Sequence, residues 1–421
     1  MQAAARKYSY SIALATSLLC LQPLGALATS PFDVTVGVGS TYNPANDTIS
    51  GGTVSPTIGF TTVSDLKNDL QQIDTQYNPA SAVVIRAGYR GLPLILQSAA
   101  NSPSVTLSIP LIGYTNTFAA QSSRDGNTTD LFNYLKSSGS DLINQIQKKL
   151  AEVSPIDPVA GNPSSMQSRM VSDDYDRNFT QFASNIKSSD NTTQSNSLIG
   201  VGLSLGSMSA GGMTTSTSTL PLSYTVRNDL DPRKQWTFYA PLSASNTEGA
   251  QSYTGNLGLA YRFPVNDEWA LSPAFGYGIT GSVDLGSAAA MMAASLTSQY
   301  TMKMDGFDLA FGNMVGLYQT TALNAGDYSS NPNINNTVFR NGVLLSFPTN
   351  VMGSKMALET SFILTNYTGS ALYSNQYEEL GVTIGTNKSA NASRSYVRAG
   401  ATLLSGSNGV SGYRLNVGYW F

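Results

Sequence analysis

The sequence predicts an all-β fold: an antiparallel transmembrane β-barrel of about twelve strands, preceded by a lumen helix and a small α+β N-terminal region. Three observations carry this. From residue 198 to the end, about twelve segments alternate apolar with polar residues, the side-chain period of a strand. Those segments run to ~10 residues or more, enough to cross a bilayer at a tilt, whereas strands of soluble sandwiches are nearer ~5–6. Finally, only 12% of the 421 residues are charged and the mean hydropathy is −0.10. No stretch after the N-terminus offers the ~20 apolar residues of a spanning helix, so a closed barrel is the remaining way to satisfy backbone polar groups in lipid.

Residues 1–28 read as a signal peptide. Arg6 and Lys7 precede an apolar run from Ile12 to Leu24, and Ala26-Leu27-Ala28 is a small-x-small cleavage site. The only cysteine, Cys20, lies inside that leader. Without the leader, 21 basic residues face 26 acidic ones, a net charge of −5. That balance gives no reason to expect a nucleic-acid partner.

Residues 29–160 read as the α+β region. Short strands are expected at 31–40 and 53–60, a helix at 65–77 opened by Ser64, and strand-like runs at 82–89, 92–97 and 105–114. Helices follow at 129–137 and 140–152, the second presenting Leu142, Ile143, Ile146 and Leu150 on one face. No repeat of 20–50 residues is present, which argues against a solenoid. Residues 161–197 form the linker and lumen helix. Ser154-Pro-Ile-Asp-Pro-Val-Ala-Gly-Asn-Pro-Ser-Ser165 has three prolines and a glycine, a linker composition. Residues 165–187 then present Val171, Tyr175, Phe179, Phe182 and Ile186 as an apolar helical stripe, with Asp173, Asp174 and Asp176 largely off it.

Residues 198–421 form the barrel, with segments at 198–209, 217–227, 233–244, 252–264, 267–281, 287–303, 305–318, 334–347, 353–367, 375–387, 393–405 and 410–421. In the fourth, Leu257, Leu259, Tyr261 and Phe263 alternate with Asn256, Gly258 and Arg262. Turn formers such as Asn246-Thr-Glu-Gly249 and Ser407-Asn-Gly409 separate the segments. Trp236, Tyr261, Phe263, Trp269, Tyr419 and Phe421 fall near strand ends, as interfacial girdles require. The last segment places Tyr413, Leu415, Val417, Tyr419 and Phe421 on one face. It must pair with the first, because an open edge in lipid is untenable.

The polar faces predict the lumen. Arg227, Arg262, Arg340, Arg398 and Arg414, with Glu359 and Glu379, are expected to point inward. They suit an acidic helix threaded through the pore and paired through Asp173, Asp174 and Asp176, with Gly258, Gly276 and Gly278 leaving room. The other reading packs that helix on the α+β region and pairs the arginines with lumen carboxylates.

The order of parts, a leader, an N-terminal region, a helix and a C-terminal barrel, resembles an autotransporter. The resemblance covers roughly 165–421. Asp157-Pro-Val-Ala-Gly-Asn-Pro163, Leu220-Pro-Leu-Ser-Tyr224, Ser282-Val-Asp-Leu-Gly-Ser287 and Gly312-Asn-Met-Val-Gly316 look like the solitary outer-membrane autotransporter-type barrels. The resemblance implies a Gram-negative outer-membrane location, a helix in a twelve-stranded pore, and translocation or anchoring of the upstream region. The short, unrepeated N-terminal region departs from the large β-helical passengers of many members. The final alternation resembles the insertion signal that bacterial barrel-assembly machinery recognises, which makes that machinery and the lipid bilayer the expected partners.

Other motifs lose on context. Gly202-Leu-Ser204-Leu-Gly206 matches a nucleophile elbow, but the chain has no histidine and the alternation continues as strand. Gly276-Tyr-Gly278-Ile-Thr-Gly281 lacks the helix that a dinucleotide fingerprint needs. Asp174-Tyr-Asp176-Arg-Asn178 begins like a calcium loop but has Phe179 in place of the sixth-position glycine. The sequence therefore predicts no enzyme, cofactor or metal. It leaves a gated outer-membrane channel and a surface adhesin as alternatives to the autotransporter reading.

Overall fold

The computed structural model describes residues 30–45, 47–62, 64–65, 78, 80–137, 140–179, 197–228, 230–231, 233–325, 328–386 and 396–420. The expected signal peptide, most of the helix at 65–77, residues 180–187 of the lumen helix, and Phe421 lie outside these residues.

Twelve antiparallel strands close into a barrel. In chain order they are Ser197–Ala210; Met213–Leu220 continued by Leu222–Arg227; Gln235–Tyr239 continued by Leu242–Thr247; Ala250–Pro264; Trp269–Ser282; Ser287–Lys303; Asp308–Thr321; Asn335–Val351; Ser354–Gly369; Gln376–Thr386; Tyr396–Gly406; and Ser411–Trp420. The second and third are interrupted at Pro221 and at Ala240-Pro241, because proline has no N–H for the ladder. Closure comes from ten register pairs between first and last strands, from Gly200 with Trp420 to Ser209 with Ser411. The ladder has no free edge.

Each wall strand buries alternate residues inward and exposes the others. The exposed set is largely apolar: Leu257 is 66% exposed, Leu317 60% and Phe275 58%. Soluble monomers rarely expose contiguous apolar surface that runs from strand to strand around the fold. Solvated by lipid, this surface is the outer band of a transmembrane barrel. Both barrel termini, Ser197 and Trp420, lie at one rim, called here the near rim. Trp236, Phe238, Tyr261, Phe263, Trp269 and Tyr300 all stand outward toward this rim, with the Trp236 and Tyr261 rings 4.5 Å apart.

The N-terminal region sits on the opposite, far rim. Its antiparallel sheet has the order Thr53–Val54, Phe32–Gly39, Ala82–Tyr89, Leu92–Ser98, Val105–Ile109 and Tyr114–Phe118, with Ile58–Phe60 also paired to Phe32–Gly39. The expected strands at 53–60 and 105–114 are thus each split. Pro56 separates the first pair, and a turn at Pro110–Ile112 ending on left-handed Gly113 separates the second. Helices α1 (Arg124–Ser137) and α2 (Ser140–Val153) bury Leu131, Leu142 and Leu150 against Leu92, Val105, Leu107 and Ile109. The other part of the sheet uses Phe32, Val34, Val36, Val38 and Phe60 differently. These residues share a core with Ile156 and with Met213, Ala250 and Leu285, which stand at far-rim turns. Tyr89 Oη also donates to the carbonyls of Leu285 and Gly286 at 3.1 Å. Val283–Gly286 is the expected turn, and here it doubles as a docking point.

Candidate functional site: the occupied lumen

The chain passes from the far rim into the barrel through residues 154–165. Despite a linker composition, this segment is fixed: Ser154 to Asn162 are all buried. Asp157 explains why. Its Oδ1 accepts from Arg90 Nη1 at 2.9 Å, and its Oδ2 accepts from the Val159 and Ala160 amides at 3.2 Å. Asn162 Nδ2 donates to the Asp157 carbonyl at 2.7 Å. The wall joins in, as Tyr373 and Ser374 donate their amides to the carbonyls of Ala151 and Gly161 at 2.8 Å. The amides of Ser165, Met166 and Gln167 donate in turn to the carbonyls of Asn162, Pro158 and Val159 at 2.8–3.1 Å, so the polar backbone of this buried segment is paired locally as well.

Ser165, with its side chain accepting from the Ser168 amide, caps helix α3, Met166–Asn178. At 1.5 Å per residue this helix is about 20 Å long, and it descends inside the barrel. Near the far rim, Gln167 Nε2 donates to Asn336 Oδ1 at 2.9 Å and Tyr367 Oη donates to Ser168 Oγ at 3.1 Å. Arg169 donates to Ser245 Oγ. The wall makes room with glycine. A Cβ on Gly278 would stand 2.7 Å from Met170 Sδ, and one on Gly312 2.6 Å from the Phe179 ring. At Gly342 it would stand 2.5 Å from Tyr175 Oη. Tyr175 and Phe179 are fully buried, and Tyr175 Oη donates to the Gly312 carbonyl at 2.9 Å.

The three aspartates have different partners. Asp174 accepts from Tyr239 Oη at 2.6 Å, Tyr318 Oη at 2.8 Å and Ser295 Oγ at 3.2 Å. Asp173 accepts from Asn256 Nδ2 at 3.3 Å. Asp176 lies 3.5 Å from both Arg340 and Arg414. The expected pairing with wall arginines is therefore seen for Asp176 alone. Hydroxyl donors take Asp174 instead, because Tyr239 and Tyr318 reach across the lumen at its height. The Arg177 guanidinium of α3 lies over the Tyr239 ring at 3.9 Å.

The seven residues expected inward stand on inner faces of the strands. Arg340 is bound by Glu379 at 2.5 Å, and the same carboxylate holds Arg414 at 2.9 Å. Arg398 pairs with Glu359. Arg262 donates to Gln299 Oε1 at 2.7 Å and not to an aspartate of the helix. Arg227 is buried beside its register partner Gln235. Both sequence-level readings of the arginines thus contribute: the helix is in the pore, and most wall arginines answer wall carboxylates. Sequence reasoning missed Arg90 with Asp157, and the hydroxyl cage of Tyr239, Tyr318 and Ser295.

The lumen is not completely filled. A cavity of about 220 Å³ remains between α3 and the first, second and last two strands, lined by Arg169, Arg177, Arg398, Arg414 and hydroxyls that include Thr215 and Thr217. Among the described residues no group of three or more His, Cys, Asp or Glu side chains gathers as metal ligands. Both glycine motifs lie within wall strands: Gly202–Gly206 in Ser197–Ala210, and Gly276–Gly281 in Trp269–Ser282.

No family model and no curated protein matches the chain. Among solved structures it is similar to the β domain of the Bordetella autotransporter BrkA, at 12% identity and a TM-score of 0.43, covering 54% of this chain and 99% of that one. It is also similar to the translocator domain of the autotransporter NalP from Neisseria meningitidis, at 14% identity and 0.39, covering 68% and 99%. The KdgM porin aligns at 10% identity and 0.30, covering 52% and 98%. The barrel assignment rests on the strand register and not on these likenesses.

Proposed function

We propose that the chain is an outer-membrane barrel of autotransporter type that anchors its own N-terminal unit outside the cell. One observation supports this above the rest. The N-terminal unit is folded on the far rim, the first wall strand begins at the near rim, and α3 lies in the lumen between them. A protein exported to the periplasm, and assembled from there, keeps its barrel ends on the periplasmic side; the far rim and its cap then face outward. The role is architectural and not catalytic, which agrees with a chain that has no histidine.

Impermeant maleimide labelling of intact cells tests the orientation, in a Cys20→Ser background. A cysteine at Ser122, exposed on the N-terminal unit, is expected to label. A cysteine at Ser354, exposed at the near rim, is expected to label only after permeabilisation. The reverse pattern refutes the proposal. A second reading, a channel gated by the N-terminal region, draws on the cavity beside α3. Sustained conductance of the full chain in planar bilayers would favour it.

A further inference from the structure

The outer wall carries two amides where only apolar side chains belong. Asn313 points outward between Phe311 and Val315, and Asn341 points outward between Phe339 and Val343. The two asparagines are direct register partners on adjacent strands, and both are exposed. Neither amide has a hydrogen-bond partner among the described residues, whereas the neighbouring outward Ser298 accepts from Trp269 Nε1 at 2.9 Å. Other outward amides, such as Gln319, Asn335 and Asn366, stand toward the far rim, where the apolar rows end.

Hydrocarbon offers an amide nothing, and leaving one unsatisfied there is costly. We infer that this patch is the contact between two copies of the barrel. The inference rests on the membrane reading of the wall. A carboxamide both donates and accepts, so it complements itself. Two barrels inserted the same way are related by a two-fold axis along the membrane normal, and such an interface is isologous. The bilayer fixes both copies at one depth, so the amides of one face the amides of the other. A lipid tail could not answer them. An unrelated protein would need its own polar group at the same height. Between helices in lipid, asparagine serves the same purpose; the flanking Phe311, Val315, Phe339 and Val343 would pack around the polar centre.

The test uses the full chain in a Cys20→Ser background. Asn313→Cys in native membranes, oxidised with copper phenanthroline, is expected to give a band of twice the monomer mass. Leu203→Cys, on an outward position six strands away round the ring, is expected to give none. In mild detergent the unsubstituted chain is expected to run as a dimer, and N313L/N341L at half that mass with unchanged heat-modifiable migration. A monomeric unsubstituted chain, a dimeric leucine variant, or equal crosslinking at Leu203 overturns the inference. Extraction into buffer without detergent would refute the membrane reading itself, and this inference with it.

Discussion

Replacing Asp174 with alanine measures how firmly α3 is held. The carboxylate accepts two short bonds, from Tyr239 at 2.6 Å and Tyr318 at 2.8 Å, and a longer one from Ser295 at 3.2 Å. Hydrogen bonds to a charged group contribute ~1.5–3 kcal/mol each, so the two short ones set the scale. Alanine also relieves the carboxylate's own desolvation penalty, which offsets part of the loss. A net destabilisation of ~2–3 kcal/mol corresponds to ~30- to 150-fold more of the locally unwound helix. Hydrogen exchange on the solubilised full chain reads that population directly. Protection of the α3 amides should fall by that factor while the wall strands keep theirs. Asp174→Asn retains one acceptor oxygen and should fall between. Unchanged protection in the alanine variant, or equal loss in both, would show that the cage does not hold the helix.

Other positions give independent tests. Gly312→Val places a Cβ 2.6 Å from the Phe179 ring; overpacking of ~1–3 kcal/mol should lower α3 protection while heat-modifiable migration of the barrel persists. Arg90→Met leaves Asp157 buried without its cation, a loss of ~3–5 kcal/mol, and should speed trypsin cleavage of the N-terminal unit; R90M/D157N should recover part of it. The hydrogen bonds from Arg86 hold the Asp47 carboxyl below the usual aspartate range. A lowered folded pKa contributes stability that is complete above about pH 3.9 and is lost as pH falls through the folded value. The hairpin Thr41–Ser50 should therefore open to pepsin in that acidic window, and Asp47→Asn should remove the dependence.

The wall was legible because its pattern is local. Ser287–Lys303 is a strand over the range that alternation alone marks out, and Arg340, Arg398 and Glu379 fall on inner faces because parity decides the face. The two proline interruptions were less visible, since the pattern resumes in phase beyond Pro221. The cage around Asp174 was not legible. Its donors come from three strands, 65, 121 and 144 residues away, and only the register brings them to one height. Inward tyrosines at 239 and 318 were the available hint, because a hydroxyl-tipped ring on a lumen face needs something to reach for. Asp157 was hidden by its company: prolines and glycine read as a loose connection, whereas burial of its side chain makes the segment rigid.

The capped far rim has a topological consequence. A folded sheet stops the chain at one mouth, and a covalent bond to the wall stops it at the other, with the ring shut between Ser197–Ala210 and Ser411–Trp420. The assembly is mechanically interlocked, like an axle through a wheel with a knot at each end. Neither heat nor denaturant can slip the axle free in a single local event. The sheet must first unravel, or the seam must part along ten register pairs. The same logic constrains biogenesis: the axle must be threaded before at least one of two events, the closing of the seam or the folding of the far-rim sheet.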